Sequence, residues 1–369
     1  MELGCSVGSP FSSSLLSELL SPDQALARGV WVKWIGGASN QDLAAIEDLA
    51  GIYALAGVHC LDVAADPAVV AAARRGMAWA EERGAPRPWL MVSLSDGADP
   101  HFRKAQFDPA FCPADCPRPC ERVCPAQAIG FSAIAGAGVL TERCYGCGRC
   151  LPACPLGLIE ECDQHLPASA VASLLASLQP DAVELHTRLG RGEAFAQRVQ
   201  QLRASGVALR RLAVSCGLEP ASGEQAAGLP VSPAQLAAEL WHRFSVVRAA
   251  GFRPLWQLDG RPMSGDVGAG TAHAAVNLAM AVAEAAPPGP LQLAGGTNAH
   301  TFAVLARQGP QAAAVRGVAF GGVARSLLQP LLQQAQDRGR TLLHDATLWP
   351  QALALAEGLV QPWLALERR

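Results

Sequence analysis

The chain has 369 residues, half of them hydrophobic and 17% charged, so it is long enough for about two domains and can bury a substantial core. This composition excludes intrinsic disorder for most of the chain, and the net charge of −3 excludes a broad basic surface for nucleic acid. No stretch is apolar enough to predict membrane insertion, and the N-terminus lacks the cationic start of a secretory signal. We therefore expect a cytoplasmic protein with reduced thiols.

After an N-terminal segment, residues 1–29, strands and helices alternate through the first part of the chain, residues 30–99. Apolar runs at 31–35, 59–64 and 89–94 are typical of parallel strands that are buried on both faces. Stretches rich in Ala and Leu follow each run and predict helices.

Capping residues mark the beginnings of several predicted helices. Ser39 is expected to cap the first of them, and Asp66 followed by Pro67 is typical of an N-cap with proline at the first helical position. Ser232, which also precedes a proline, repeats this pattern later in the chain.

Eight of the 12 cysteines fall between residues 112 and 154, inside a segment, residues 100–166, that we interpret as an inserted ferredoxin-like domain. The first set has the spacing C-x3-C-x3-C-x3-C-P and comprises Cys112, Cys116, Cys120 and Cys124. This spacing is wider than that of bacterial ferredoxins, so zinc is an alternative for this set when it is considered alone.

The second set has the bacterial ferredoxin spacing C-x2-C-x2-C-x3-C-P and comprises Cys144, Cys147, Cys150 and Cys154. Three thiolates on a tight loop can bind three corners of an iron–sulfur cube, while the fourth is directed elsewhere. Gly146 and Gly148 permit the backbone to approach closely, so that amide N–H groups can point at the sulfurs. The spacing therefore favours iron–sulfur over zinc, and we do not expect disulfides.

An internal repeat relates the two sets, because residues 124–129 (CPAQAI) resemble residues 154–159 (CPLGLI). In two-cluster ferredoxins the fourth cysteine of each run binds the other cluster. The predicted ligands of cluster 1 are Cys112, Cys116, Cys120 and Cys154, and those of cluster 2 are Cys144, Cys147, Cys150 and Cys124. We expect two [4Fe–4S] clusters, with [3Fe–4S] as an alternative for cluster 1 because of its wide spacing. The remaining cysteines are interpreted as plain thiols: Cys5, Cys60, Cys162 and Cys216.

Beyond the insertion the alternation resumes in residues 167–340, and residues 341–369 predict a C-terminal helical extension. The further apolar runs are 182–187, 211–216, 254–259, 291–295 and 317–320. Eight strand–helix units predict an α/β fold, a (β/α)8 TIM-like barrel, with an open doubly wound sheet as the alternative. The insertion interrupts the third strand–helix connection, so we expect the clusters at the barrel mouth, the end where the strands finish and barrels bind ligands.

Polar residues near the predicted strand ends are candidates for a ligand site at this mouth: Lys33, Asp62, Glu184, His186, Gln257 and Asp259. So many polar groups inside a barrel require partners, which are either one another or a ligand. Two glycine pairs follow the seventh and eighth strands: Gly295 with Gly296, and Gly321 with Gly322. They either favour a phosphate at the ensuing helix or simply permit tight turns.

Several further stretches match a known family. Besides both cysteine sets they are residues 36–43 (GGASNQDL), 61–67 (LDVAADP), 259–266 (DGRPMSGD), 293–298 (LAGGTN) and 317–321 (GVAFG). From about residue 30 to residue 330 the chain resembles the light-dependent period (LdpA) family, cyanobacterial iron–sulfur proteins of circadian clock input. The resemblance implies a protein that reports cellular redox state, a proxy for light, and adjusts the clock period. It implies the clock input kinase and the Kai proteins as partners.

Three functions stay open. The widely spaced first cysteine set, and a sequence without a Ser-His-Asp, HExxH or Walker pattern, favour an iron–sulfur redox sensor. The second is a flavin-dependent barrel oxidoreductase, with the flavin phosphate at the glycine pairs and Lys33 and Gln257 at its ring. The third is a plain electron-transfer protein with no barrel ligand.

Overall fold

The computed structural model describes residues 20–132, 136–163, 166–219, 231–261 and 268–365. Its strands are β1 (Trp31–Gly37), β2 (Cys60–Ala64), β3 (Trp89–Ser95), β4 (Arg103–Gln106), β5 (Ile129–Ser132), β6 (Gly136–Val139), β7 (Glu160–Asp163), β8 (Ala182–His186), β9 (Arg211–Gly217), β10 (Pro254–Asp259), β11 (Leu291–Ala294) and β12 (Val315–Phe320). Its α-helices are α1 (Pro22–Arg28), α2 (Leu43–Leu55), α3 (Pro67–Glu81), α4 (Pro119–Val123), α5 (Cys150–Ala153), α6 (Ala168–Leu178), α7 (Gly192–Ala204), α8 (Pro233–Ala249), α9 (Thr271–Ala283), α10 (Thr301–Ala306), α11 (Gly322–Asp337) and α12 (Trp349–Leu364).

Eight parallel strands close into a ring in the order β1-β12-β11-β10-β9-β8-β3-β2. The first and last strands pair directly, with Trp31 opposite Gly317 and Trp34 opposite Phe320. The closed ring confirms the predicted (β/α)8 barrel and excludes the open doubly wound sheet. The first and last residues of each strand lie within two residues of the predicted apolar run. The prediction succeeds because a barrel strand is shielded from water both on its interior face and on the face covered by helices.

The helix caps follow the sequence with one exception. Asp66 caps α3 by accepting from two backbone N–H groups, and Ser232 forms a capping box at the start of α8. The expectation that Ser39 caps the next helix is wrong, since Asp42 caps α2 by accepting from Ala45 N at 3.2 Å. The Asn40 side chain accepts from Asp42 N at 3.1 Å and places the cap three residues beyond Ser39.

Helix α1 closes the barrel at the end where the strands begin. Leu26 is buried there against apolar side chains from the strand starts, among them Trp31, Met91 and Leu255. Trp31 Nε1 donates to Gln292 Oε1 at 2.6 Å, which satisfies the indole group inside the ring. The N-terminal end of the barrel is therefore packed, and space for a ligand lies at the other end.

The cysteine-rich insertion lies between β3 and α6 and carries two small antiparallel sheets, β4–β7 and β5–β6. Helices α4 and α5 each end immediately before the fourth cysteine of a set, Cys124 and Cys154. Its buried core is small and consists of Ala105, Cys120, Ala128, Ile129, Cys144, Cys150 and Ile159. In the described part of the chain, no helix combines the length and apolarity that a membrane crossing needs.

Candidate functional site

The four cysteines predicted to hold cluster 2 surround a single cavity. Cys124, Cys144, Cys147 and Cys150 all line this cavity. Its other walls include the apolar side chains of Ala105, Ile129 and Leu151. Four thiols around a mostly apolar cavity fit a cubic iron–sulfur cluster, which needs four thiolates and protection from water.

Two observations on the sulfurs support this fit. Ala105 N donates to Cys144 Sγ at 3.3 Å, and Ala128 N donates to Cys124 Sγ at 3.2 Å. Backbone N–H groups of this kind stabilise the negative charge of cluster-bound thiolates. Burial raises the pKa of the Cys150 thiol to about 12, with the charges of the other three thiols adding to the effect. Cations bound between the thiols would relieve this repulsion.

The first set is more open. Cys112 and Cys116 are half-buried, and Phe111 beside them is 71% exposed. Burial raises the pKa of Cys120, and the charges of Cys154 and Cys112 also act on it. Cys154 therefore lies with the first set, although it is in the second sequence run, whereas Cys124 lies with the second set.

Cys154 is prepared to be a thiolate. Burial alone would raise its pKa, but backbone N–H groups of the following residues outweigh burial and lower the pKa. These donors belong to Leu158, Leu156, Ile159 and Gly157. The loop after α5 thus supplies a nest of N–H groups around one sulfur, an arrangement suited to a metal-bound thiolate.

The other cysteines lie elsewhere. Cys60 and Cys216 are buried in the barrel, and Cys162 is half-buried on β7. Cys5 lies outside the described residues. Within the described ranges the cysteines are free of disulfides.

An ion-pair network occupies the centre of the barrel. Lys33 Nζ lies 2.8 Å from Asp62 Oδ2 and also contacts the Glu184 carboxylate, and all three side chains are buried. Burial lowers the pKa of Lys33, but the two carboxylates outweigh burial and raise it, so the ammonium stays charged. Burial raises the pKa of Asp62 to about 7 despite the nearby ammonium. The ammonium of Lys33 and the carboxylate of Glu184 are thus the main charged groups at this site. Asp62 lies beside them, with its pKa raised to about 7.

His186 extends this network towards the mouth. Its Nε2 lies 2.9 Å from Glu184 Oε1, and its ring centroid lies 4.6 Å from that of His101. Burial lowers the pKa of His186, but the Glu184 carboxylate outweighs it and raises the pKa to about 9. Ligand atoms of Asp99, His101 and His186 lie within 4.8 Å of one another, as in a metal site. Because protonated His186 is a donor paired with Glu184, the geometry favours a hydrogen-bonded network over metal ligation.

Amide and hydroxyl groups complete the network. Gln257 Nε2 donates to Glu184 Oε1 at 2.8 Å and to Ser215 Oγ at 2.9 Å, and Ser215 Oγ donates to Asp259 Oδ2 at 2.6 Å. Gln292 Nε2 donates to Gln257 Oε1 at 2.6 Å. Hydrogen bonds therefore run continuously from the closed end of the barrel to its mouth.

A cavity lies at the mouth, between the strand ends and the cysteine loop. Eight of the ten candidate mouth residues line it: Glu184, His186, Gln257, Asp259, Gly295, Gly296, Gly321 and Gly322. Lys33 and Asp62 lie beneath it, inside the ring. Tyr145, Cys147 and Arg149 line the same cavity from the insertion, so the second cysteine set faces the barrel mouth directly.

The cysteine loop is fastened to the barrel by polar contacts. The Arg325 guanidinium lies 3.8 Å from the centre of the Tyr145 ring. Lys104 Nζ donates to Gln41 Oε1 and to the Thr141 carbonyl oxygen, each at 2.6 Å. Arg325 was not among the predicted site residues, although its position in the first helical turn, directly after the glycine pair at 321–322, is a signal in the sequence.

Comparison with known proteins agrees with these features. Residues 112–165 match the family model described as the LdpA Fe-S cluster-binding domain, and residues 174–362 match the Light dependent period A C-terminal domain. "Light dependent period A" of Synechococcus elongatus is 48% identical over 347 residues, which cover 92% of this chain and 93% of that protein. The chain belongs to the light dependent period A family. The resemblance seen in the sequence is thereby confirmed, together with an iron–sulfur cluster-binding domain in this family.

More distant likenesses appear among solved structures. Tryptophan synthase of Mycobacterium tuberculosis is 12% identical with a TM-score of 0.43, and the match covers 94% of this chain and 97% of that one. (S)-3-O-geranylgeranylglyceryl phosphate synthase of Thermoplasma acidophilum is 11% identical with a TM-score of 0.40, covering 93% and 99%. For this member of the light dependent period A family, the strand order itself establishes the barrel, and these likenesses add nothing about its ligand.

Proposed function

We propose that this chain is an iron–sulfur redox sensor that relays the redox state of the cell, and thereby light, to circadian clock proteins. The observation that carries the proposal is that Cys147 lines both the cavity of the second cysteine set and the cavity at the barrel mouth. The proposed ligands of cluster 1 are Cys112, Cys116, Cys120 and Cys154, and those of cluster 2 are Cys124, Cys144, Cys147 and Cys150. Cluster 2 is [4Fe–4S] in this proposal, and cluster 1 is [4Fe–4S] or [3Fe–4S].

Bound clusters supply one-electron redox chemistry. The residues around each cluster determine where electrons enter and which side chains respond to the change of charge. The half-buried first set lies beside exposed Phe111, which suits exchange of electrons with an external donor. The second set lies against the barrel, where Arg149 and the contact between Tyr145 and Arg325 are close to Cys147. A change of charge among the second-set thiolates therefore changes the attraction on Arg149, which belongs to the cysteine loop and lines the barrel mouth.

The readout in this proposal is the order of the cysteine loop and the surface around it. Phe111 and Leu156 are both exposed apolar side chains on the insertion. Exposed apolar side chains next to a redox-sensitive loop suit a docking surface for a protein partner. The proposed partners are the clock input kinase and the Kai proteins.

Anaerobic purification tests the proposal, with iron and sulfide counts and electron paramagnetic resonance before and after reduction. We expect signals from two clusters and a change in the binding of clock proteins when the clusters are reduced. A preparation that contains zinc in place of iron would contradict the cluster proposal. Partner binding that is identical in the oxidised and reduced protein would contradict the sensor proposal while leaving the clusters intact.

A flavin-dependent oxidoreductase is the second candidate, favoured by the cavity that joins Cys147 to the glycine pairs and Gln257. A bound flavin would give resolved visible absorption bands on top of the broad absorption of the clusters. Repeated purification without these bands would remove this candidate. A plain electron-transfer protein, the third possibility, predicts fast exchange with a ferredoxin or a reductase and an unliganded barrel.

A further inference from the structure

We propose that the barrel mouth binds a phosphomonoester, with its phosphate held by Arg325, Arg149 and the N-terminus of α11. This inference goes beyond the proposed sensor function and does not depend on it. It stands on a buried arginine without a carboxylate partner, a second, half-buried arginine on the same cavity, an uncapped helix end and open space in front of that helix.

Arg325 is the first observation. Its side chain is buried, with 6% exposure, in the first turn of α11. One guanidinium nitrogen donates to the Gly36 carbonyl oxygen and the group stacks on Tyr145, but Nε has no hydrogen-bond partner. Among the described residues, no carboxylate lies within ion-pair distance of Arg325. A buried charge without a counter-ion is costly, and an anion in the adjoining cavity removes that cost.

Arg149 is a second cation, a half-buried residue of the insertion that lies beside Cys147. It lines the same cavity, its Nε is buried without a hydrogen-bond partner, and within the described ranges it forms no ion pair. Other buried arginines of the barrel behave differently, since Arg243 pairs with Glu239 and Arg191 pairs with Asp96. Two cations that lack carboxylate partners therefore face one space, which gives that part of the cavity a positive potential.

The N-terminus of α11 points to the same place. The helix has 16 residues, its N-cap Gly321 offers no side-chain acceptor, and its first turn contains no acidic residue. The positive end of the helix dipole and its free N–H groups favour an anion there. A Cβ added at Gly322 would meet no atom within 4 Å, so the space in front of this helix is open.

The other side of the cavity defines the rest of the ligand. Glu184, Gln257 and Asp259 line it there and offer carboxylate and amide oxygens. Carboxylates repel a second anionic group and accept hydrogen bonds from hydroxyl or N–H donors. The cavity therefore suits a ligand with one phosphate at the α11 end and an uncharged, hydroxyl- or amide-bearing body.

Substitutions at Gly322 separate ligand binding from folding. Gly322→Asp places a carboxylate at the first position of α11, where it stabilises the helix but repels an anion. Gly322→Asn is the uncharged control of similar shape. Ala168→Asp is a second control, because it adds the same charge at the first position of α6, where Ala168 is exposed and does not line the mouth cavity. Arg325→Gln removes one of the two cations.

The test is calorimetric titration of the anaerobically purified, phosphate-free protein with inorganic phosphate and with glycerol phosphate. We expect one binding site in the unaltered protein, affinity weakened about tenfold or more in Gly322→Asp relative to Gly322→Asn, and unchanged affinity in Ala168→Asp. Thermal unfolding of Gly322→Asp should occur at or above the temperature of the unaltered protein, which shows that the loss is not a folding defect. Equal affinity in Gly322→Asp and Gly322→Asn, or no binding of either probe by the unaltered protein, would overturn the proposal. Tighter binding of glycerol phosphate than of phosphate identifies the ester as the ligand class.

Discussion

Lys33 pairs with two buried carboxyl groups at the barrel centre, those of Asp62 and Glu184. Lys33→Met leaves the Glu184 carboxylate buried without its ammonium partner. We expect the free energy of unfolding to fall by about 3–5 kcal/mol, as for other broken buried pairs. Urea denaturation measures the change. The double variant Lys33→Met/Glu184→Gln should recover part of it, and a single-variant loss below about 1 kcal/mol would contradict this account of the network.

His186 gives the network a pH dependence with a definite sign. Its pKa is raised from an ordinary value of 6.5 to about 9, so the folded protein binds this proton more tightly than the unfolded chain. The stabilisation is complete below pH 6.5 and is lost as the pH rises through about 9. We expect the stability difference between the unaltered protein and His186→Gln to shrink across this window by on the order of 3 kcal/mol. A difference that is constant from pH 6 to 10, measured by denaturation, would contradict the assignment.

Cys147 tests the ligand assignment directly. Cys147→Ala removes one of four thiols from the second-set cavity, so we expect loss of cluster 2 with its iron and sulfide. Cys162→Ala is the matched control, since Cys162 belongs to the same insertion but lies on β7. Iron analysis and visible absorbance distinguish the two variants. Full iron content in Cys147→Ala, or lost iron in Cys162→Ala, would refute the proposed ligand set.

At the scale of elements, the cysteine loop depends on two glycines that look equivalent in sequence. Gly146 and Gly148 both have positive φ, 71° and 73°. A Cβ at Gly146 would overlap the Arg103 carbonyl oxygen, whereas at Gly148 the nearest atom is Glu161 Oε1 at 3.9 Å. The two positions therefore share a backbone strain but differ in available space.

This difference predicts opposite outcomes for one substitution. Gly146→Ala should displace the loop from β4 and abolish cluster 2. Gly148→Ala should cost only about 1 kcal/mol of backbone strain and keep the cluster. Visible absorbance and iron content of the two variants, purified in parallel under anaerobic conditions, provide the measurement. Loss of the cluster in both variants would show that conformation, and not space, limits the loop.

The barrel strands could be predicted from the sequence, whereas one helix cap and one contact between distant residues could not. The barrel strands were predictable because each is a short, mainly apolar run, such as 89–94, and most of these runs alternate with helical stretches. The cap at Ser39 was mispredicted because the competing acceptor, Asp42, lies only three residues away, and the turn at Asn40 decides between them. The cation–π contact of Tyr145 with Arg325 joins residues 180 positions apart, so no local pattern announces it.

On the scale of the whole molecule, the barrel and the insertion have separate cores. The barrel core is large and apolar, whereas three of the seven buried core residues of the insertion are cysteines: Cys120, Cys144 and Cys150. We therefore expect the insertion to depend on metal binding for its order, and the barrel to keep its order without metal.

Removal of the clusters should consequently unfold one part of the molecule only. After anaerobic chelation of iron, we expect hydrogen exchange in residues 100–163 to approach that of an unfolded chain, while the barrel strands stay protected. Mass spectrometry of peptic fragments measures both regions in one experiment, and the barrel serves as the internal control. Equal loss of protection in β9 and β10 would show that the two cores form one cooperative unit.

The seal formed by α1 has a kinetic consequence for the polar interior. Among the described residues, Leu26 and its neighbours fill the end where the strands begin, so the cavity beneath the cysteine loop is the route by which bulk water reaches Glu184, Gln257 and Asp259. Protons therefore reach these side chains through the mouth cavity. When that loop is ordered, the interior equilibrates slowly with the medium, and a sudden pH change should reach His186 with a measurable lag.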